Sequence, residues 1–132
     1  MATATPKWAD LIGKPFTKGG RGPDEFDCFG LVAEMKRREG NPIPERESPE
    51  GDVGMAMLLA AQIPLCDELT GPESGAIVAI RVGRFVHHVG YMVNETHMLH
   101  AWKHCGGVTL EPIAIWAPKI EGFYKYSKCT TR

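Results

Sequence analysis

The chain has 132 residues, 43% of them hydrophobic, and a formal net charge of -1. This size and apolar content suit a single soluble domain, residues 1–132, around one core. The near-neutral balance gives no global footprint for nucleic acid or an anionic membrane surface, and no apolar run approaches the roughly 20 residues that cross a bilayer. The opening Met1-Ala2-Thr3-Ala4-Thr5-Pro6 has no basic segment followed by an apolar one. The expectation is therefore a product made in the cytoplasm without a secretion signal.

In chain order, Trp8–Ile12 reads as a short helical turn, and the rest up to Phe26 reads as a loop rich in Gly, Pro and charge. A helix is predicted over 28–39. Leu31, Val32 and Met35 recur at helical spacing, Asp27 suits the N-cap, and Gly40 followed by Pro42 ends the segment. Pro42–Gly51 is a polar, proline-rich loop, and Val53–Gln62 reads as a second helix. After the turn cluster at 71–75, strands are predicted at Ala76–Val82, His88–Val93, Met98–Trp102, Val108–Pro112 and Gly122–Tyr126. Helices first and an antiparallel meander after them make the class α+β.

Four cysteines are present, Cys28, Cys66, Cys105 and Cys129, with no CxxC pair. Without a secretion signal or zinc spacing, all four are expected to be reduced. Cys28 falls in the first turn of the first helix, where unpaired N–H groups favour a thiolate. A thiol activated there is expected to react well below the ordinary pKa of about 8.5. Asp27 opposes that effect, so a base is needed. His88 and His100 lie an even number of residues apart on two strands that read as a hairpin. With an odd loop near Asn94–Glu95 they share a face and meet as a cross-strand or diagonal pair; a two-residue loop would separate them. The expected order of roles is nucleophile Cys28, base His88 and orienting His100.

The stretch Gly19-Gly20 … Pro23 … Phe26-Asp27-Cys28-Phe29-Gly30-Leu31-Val32 resembles the nucleophile motif of the NlpC/p60 family of cell-wall cysteine peptidases. His88-Val89-Gly90-Tyr91 resembles its base motif, and Leu99-His100-Ala101 the strand carrying its third polar residue. The likeness runs from about Trp8 to Tyr126. Leu110-Glu111-Pro112 … Trp116 … Gly122-Phe123-Tyr124 further resembles small single-domain members from tailed phages and prophages. The resemblance implies a papain-like fold, with the nucleophile helix packed on a small antiparallel sheet, and a triad of Cys28, His88 and His100. It implies the peptide stem of peptidoglycan as substrate, usually cut between D-glutamate and a diamino acid, with Asp27 as a candidate contact to a free amine. It implies no cofactor, possible phage tail partners, and a virion-associated or cell-wall location. Phe16 stands where the family usually has Tyr, and Phe29 where many members have Ser, so both become candidate substrate-binding positions. The backbone N–H of Cys28 is an available oxyanion donor.

Trp8, Trp102 and Trp116 are candidates for the floor of a cleft, although a buried tryptophan more often belongs to the core, and Trp102, which shares the parity of His100, is the one expected nearest the site. His87 and His97 are expected to face away from His88 and His100, which argues against a metal cluster with His104 and Cys105. Lys36-Arg37-Arg38 reads as a solvated helix face, and Cys66, Cys105 and Cys129 as structural or incidental. Two other functions fit the same residues: a tail-assembly component that keeps the fold for structural reasons, and an amidase or acyltransferase using the same triad.

Overall fold

The computed structural model describes residues 6–44 and 46–127, so Cys129 lies outside the described residues. Helix α1 spans Cys28–Arg38 and α2 spans Gly51–Gln62. The strands are β1 Cys66–Leu69, β2 Ile77–Val82, β3 Phe85–Met92, β4 His97–Trp102, β5 Gly107–Pro112 and β6 Ile120–Tyr126. Short 3-10 segments at Ala9–Leu11, Ile63–Leu65, Lys103–Cys105 and Ile113–Lys119 join them. The α+β class holds.

Helix α1 begins where the sequence places it. The Asp27 carboxylate accepts the Gly30 N–H at 2.7 Å, which satisfies one of the unpaired donors of the first turn. It ends on Gly40 at φ 83, and the Asn41 and Gly40 N–H groups close back on Lys36 and Arg37. Leu31, Val32 and Met35 are buried with Val89 and Tyr91 of β3, each contributing about 1.5–3 kcal/mol. Lys36 corrects the reading of a solvated basic face. It is buried, and its Nζ is held by Glu39 at 3.1 Å and the Gly75 carbonyl at 3.2 Å. Arg37 and Arg38 do face outward and pair with Glu34, and Arg38 also with Asp10.

The sheet order is β1-β6-β2-β3-β4-β5, antiparallel throughout. Strands β2 to β5 form the expected meander. The last strand instead returns beside β2 and accepts β1 on its outer edge. Strand β1, Cys-Asp-Glu-Leu, escapes sequence reading because its acidic centre has poor strand propensity and only tertiary pairing with β6 makes it extended. One face of the sheet packs on both helices. On the other, Val78, Ile80, Met92 and Met98 are buried with Ile113 and Trp116 of the 3-10 segment packed against them.

Two features aim the site. A β-bulge interrupts β2–β3: Ile80 pairs with His88 and Arg81 with Val86, leaving His87 as the extra residue. The N-terminal loop is pinned to β5 by Gly13–Val108 and Val108–Lys14 backbone hydrogen bonds, both 2.9 Å, which bring Phe16 alongside α1.

Candidate active site

Cys28 opens α1 and is 5% exposed. Its Sγ lies 3.9 Å from the carbonyl oxygen of His87, at the bulge. Burial, and then the Asp27 charge, push the thiol up to about 12, while the backbone N–H groups of Val89 and Phe29 pull weakly the other way. This corrects the expectation of a thiol activated by the helix start. At this depth desolvation of the thiolate outweighs the helix terminus.

His88 Nε2 and His100 Nδ1 are 2.7 Å apart. The pairing follows from a three-residue loop: Val93 N–H donates to the His97 carbonyl, and the Asn94 side chain accepts from the N–H groups of Thr96 and His97. The register Tyr91–Leu99 and Met92–Met98 then puts His100 opposite Gly90 and His88 one step along the same face. Gly90 leaves this face open, since a Cβ there would sit 2.8 Å from the Met98 sulfur and in ordinary contact, 3.4 Å, with the Cβ of His100. Burial holds both imidazoles below their ordinary value, His88 well below it, so both are neutral near pH 7.

The hydrogen bonds continue beyond His100. Its Nε2 lies 2.7 Å from Oε1 of Glu111, and the Trp116 indole N–H donates to that same oxygen at 2.9 Å. Sequence reading missed this contact, although a signal exists. Thr109 faces His100 across β4–β5, so Glu111 two residues on lies on the same face. Trp102 and Trp116 flank His88, with ring centroids at 4.5 and 6.0 Å.

Cys28 and His88 line one cleft of about 300 Å³, together with Phe16, Asp27, Met55 and Trp102. A thiol at a helix start and an imidazole hydrogen-bonded to a second group, opening into one cleft, are the components that covalent acyl transfer requires. The model of the NlpC/P60 family matches residues 13–124. The chain belongs to the NlpC/P60 family.

Structural likeness agrees with that membership. NlpC2 from Trichomonas vaginalis aligns with a TM-score of 0.70 at 19% identity, covering 89% of this chain and 43% of that one. The P60 domain of the M. avium subspecies paratuberculosis antigen MAP1204 aligns at 0.62 and 22%, covering 89% and 86%. The NlpC/p60 domain of the peptidoglycan hydrolase SagA aligns at 0.56 and 18%, covering 88% of each chain. The chain spans less than half the length of the two Trichomonas vaginalis proteins it matches. No curated protein sequence matches it. The papain-like NlpC/P60 fold is thus shown.

Phe16, singled out by likeness to this family, and Trp102, singled out by its parity with His100, line the cleft. Phe29 does not. Its ring is buried in the core beside α1, with the Arg21 guanidinium 5.2 Å from its centre, because its place on the helix turns it inward. Asp27 lines the cleft, but its carboxylate is already engaged. One oxygen accepts from Gly30 N and Arg21, the other from Gly19 N and the Ser48 hydroxyl. With about four lone-pair sites so occupied, the carboxylate serves the N-cap and holds the 19–21 loop and Ser48 in this arrangement. His87 corrects the parity reading: the bulge turns it into the cleft beside His88, where it faces Asp52 at 3.7 Å.

Proposed function

We propose that this chain is a cysteine peptidase that hydrolyses the peptide stems of bacterial peptidoglycan, at the bond between D-glutamate and a diamino acid. The observation that carries the reading is that Cys28, at the start of α1, and the hydrogen-bonded His88–His100 pair serve one cleft. Family membership and the likeness to the SagA hydrolase domain support the substrate class.

In this reading Cys28 Sγ attacks the scissile carbonyl and forms a thioester, while His88 takes the thiol proton and passes it to the departing amine. Water then attacks the thioester with His88 again as base, releasing the acid and restoring the thiol. A high thiol pKa and a low imidazole pKa mean that both groups are neutral at rest. Proton transfer therefore accompanies attack, with no preformed thiolate–imidazolium pair. The N–H of Cys28, which has no intrahelical partner, is the candidate oxyanion donor.

Origin in a tailed phage or prophage, with delivery on the virion or at lysis, accompanies this proposal and rests on the 110–124 segment alone. The depth of Cys28 favours a second reading, a tail-assembly component that retains the fold for structural reasons. Incubation of purified muropeptides with wild type and Cys28→Ala separates the two. The expected result is fragments with a new diamino-acid amine from wild type and none from a folded Cys28→Ala. Equal hydrolysis by both would remove Cys28 as nucleophile, and no hydrolysis by wild type would favour the structural role.

A further inference from the structure

We infer that Glu111 is a positioning residue that sets the direction of every hydrogen bond in the chain Trp116–Glu111–His100–His88, so that His88 keeps an unprotonated Nδ1 on the side of the cleft. The inference rests on the proposed role of His88 as base.

The direction follows from what each group can donate. The Trp116 indole nitrogen is a donor only, so the Glu111 oxygen it meets must be an acceptor. That same oxygen meets His100 Nε2 at 2.7 Å, and an ionised carboxylate has no hydrogen to give, so His100 carries its proton on Nε2. In a neutral imidazole the other nitrogen is then bare. His100 Nδ1 must accept, and His88 Nε2, 2.7 Å away, must donate. His88 is likewise neutral, which leaves the lone pair on its Nδ1. Without Glu111 the opposite arrangement becomes available: His100 donates from Nδ1 to His88 Nε2, and His88 holds its proton on Nδ1, where it cannot take one from a thiol. Two neutral histidines alone have no strong preference between these directions. The carboxylate supplies one.

The placement is built into the fold. Glu111 is diagonal to His100 across β4–β5, and Trp116 comes from the 3-10 segment Ile113–Lys119 that folds back over the same face. The Glu111 side chain is 24% exposed, at the rim of the buried pair and away from the Cys28 cleft lining. It therefore acts through His100 and touches no substrate in this arrangement.

The test combines ring-nitrogen NMR, which separates protonated from bare imidazole nitrogens, with hydrolysis of muropeptides. In wild type the expected pattern is protonated Nε2 and bare Nδ1 on both His88 and His100. Glu111→Leu should give mixed or inverted nitrogens and a kcat about 100-fold lower, within the range for loss of general-base catalysis, with KM moved less than about threefold. Glu111→Gln should recover most of that loss, because its amide oxygen can accept both bonds. Wild-type nitrogens and rate in Glu111→Leu would overturn the inference. If Glu111→Leu does not fold, the wild-type spectrum carries the test, since a proton on His88 Nδ1 is incompatible with the inference. The NMR arm needs no substrate, so a failure of the peptidase reading shows in the hydrolysis arm and stays separate from a failure of this one.

Discussion

A Cβ on Gly30 would lie 1.9 Å from the carbonyl oxygen of Gly20, a contact no side chain can make. That approach joins the 19–27 loop to the first turn of α1. The Gly20 carbonyl also accepts the Asp27 N–H at 3.1 Å, so the loop and the turn that carries Cys28 hold each other. Gly30→Ala must push the loop away from the helix. The expected cost is about 3 kcal/mol, the upper range for overpacking, read as a lower urea midpoint at unchanged slope. Loss of the loop should also remove hydrolysis, because Phe16 and Asp27 move with it. A fully stable Gly30→Ala variant would mean that this contact does not exist in solution.

Asp27 stabilises the helix and at the same time disfavours the thiolate beside it. Its charge is the second cause, after burial, of the raised Cys28 thiol. Asp27→Asn removes the charge while keeping a side-chain oxygen for the cap. Alkylation of Cys28 at pH 8, followed by mass spectrometry of its peptide, should be slower than that of exposed Cys105 in wild type. It should quicken in Asp27→Asn. The same variant should lose about 1–2 kcal/mol, since Arg21 keeps a partner but loses the ion pair. An unchanged Cys28 rate would show that burial alone governs the thiol.

The two buried histidines make stability depend on pH. Both have folded pKa values below the ordinary imidazole value of 6.5, His88 well below it, mainly through burial. Below 6.5 the unfolded chain binds protons that the folded chain refuses, so stability falls as pH falls. Their contribution is full above 6.5 and is lost progressively below it, down to each folded value. Each histidine can remove at most about 1.4 kcal/mol per pH unit. Denaturant midpoints between pH 7.5 and 5 should therefore drop, with a shallower slope in His88→Gln. The acid limb of kcat/KM is expected below 6.5 for the same reason. A flat stability profile over this range would count against neutral, buried imidazoles.

Much of the site was legible in particular residues. Asp27 and Gly40 bracket α1 because capping chemistry is local: a carboxylate reaches its own first turn, and glycine alone takes a φ of 83 easily. The alternation of β3 and β4 pairs His88 with His100 provided the loop between them is odd, and the three-residue loop closed by Val93 N–H on the His97 carbonyl meets that condition. Strand β1 was not legible, because Cys66–Leu69 has no alternating apolar pattern and becomes a strand only against β6. The burial of Lys36 was not legible because helix periodicity says which residues share a face and not how far the core extends around it, and that of Phe29 because likeness to a motif gives a position and not the direction of its side chain.

The class and the helix that presents Cys28 follow from the sequence through short-range periodicity and capping, whereas the common face of the two histidines follows from periodicity only once the loop between them is odd. Tertiary structure decided three things that depend on residues far apart in the chain. The bulge at His87 turns its side chain into the cleft and sets its carbonyl near the Cys28 sulfur. Burial raises the thiol against the pull of the helix start, because desolvation depends on what covers a group. The fold-back of Ile113–Lys119 brings Trp116 onto Glu111, giving the histidine pair a carboxylate that neither histidine motif contains.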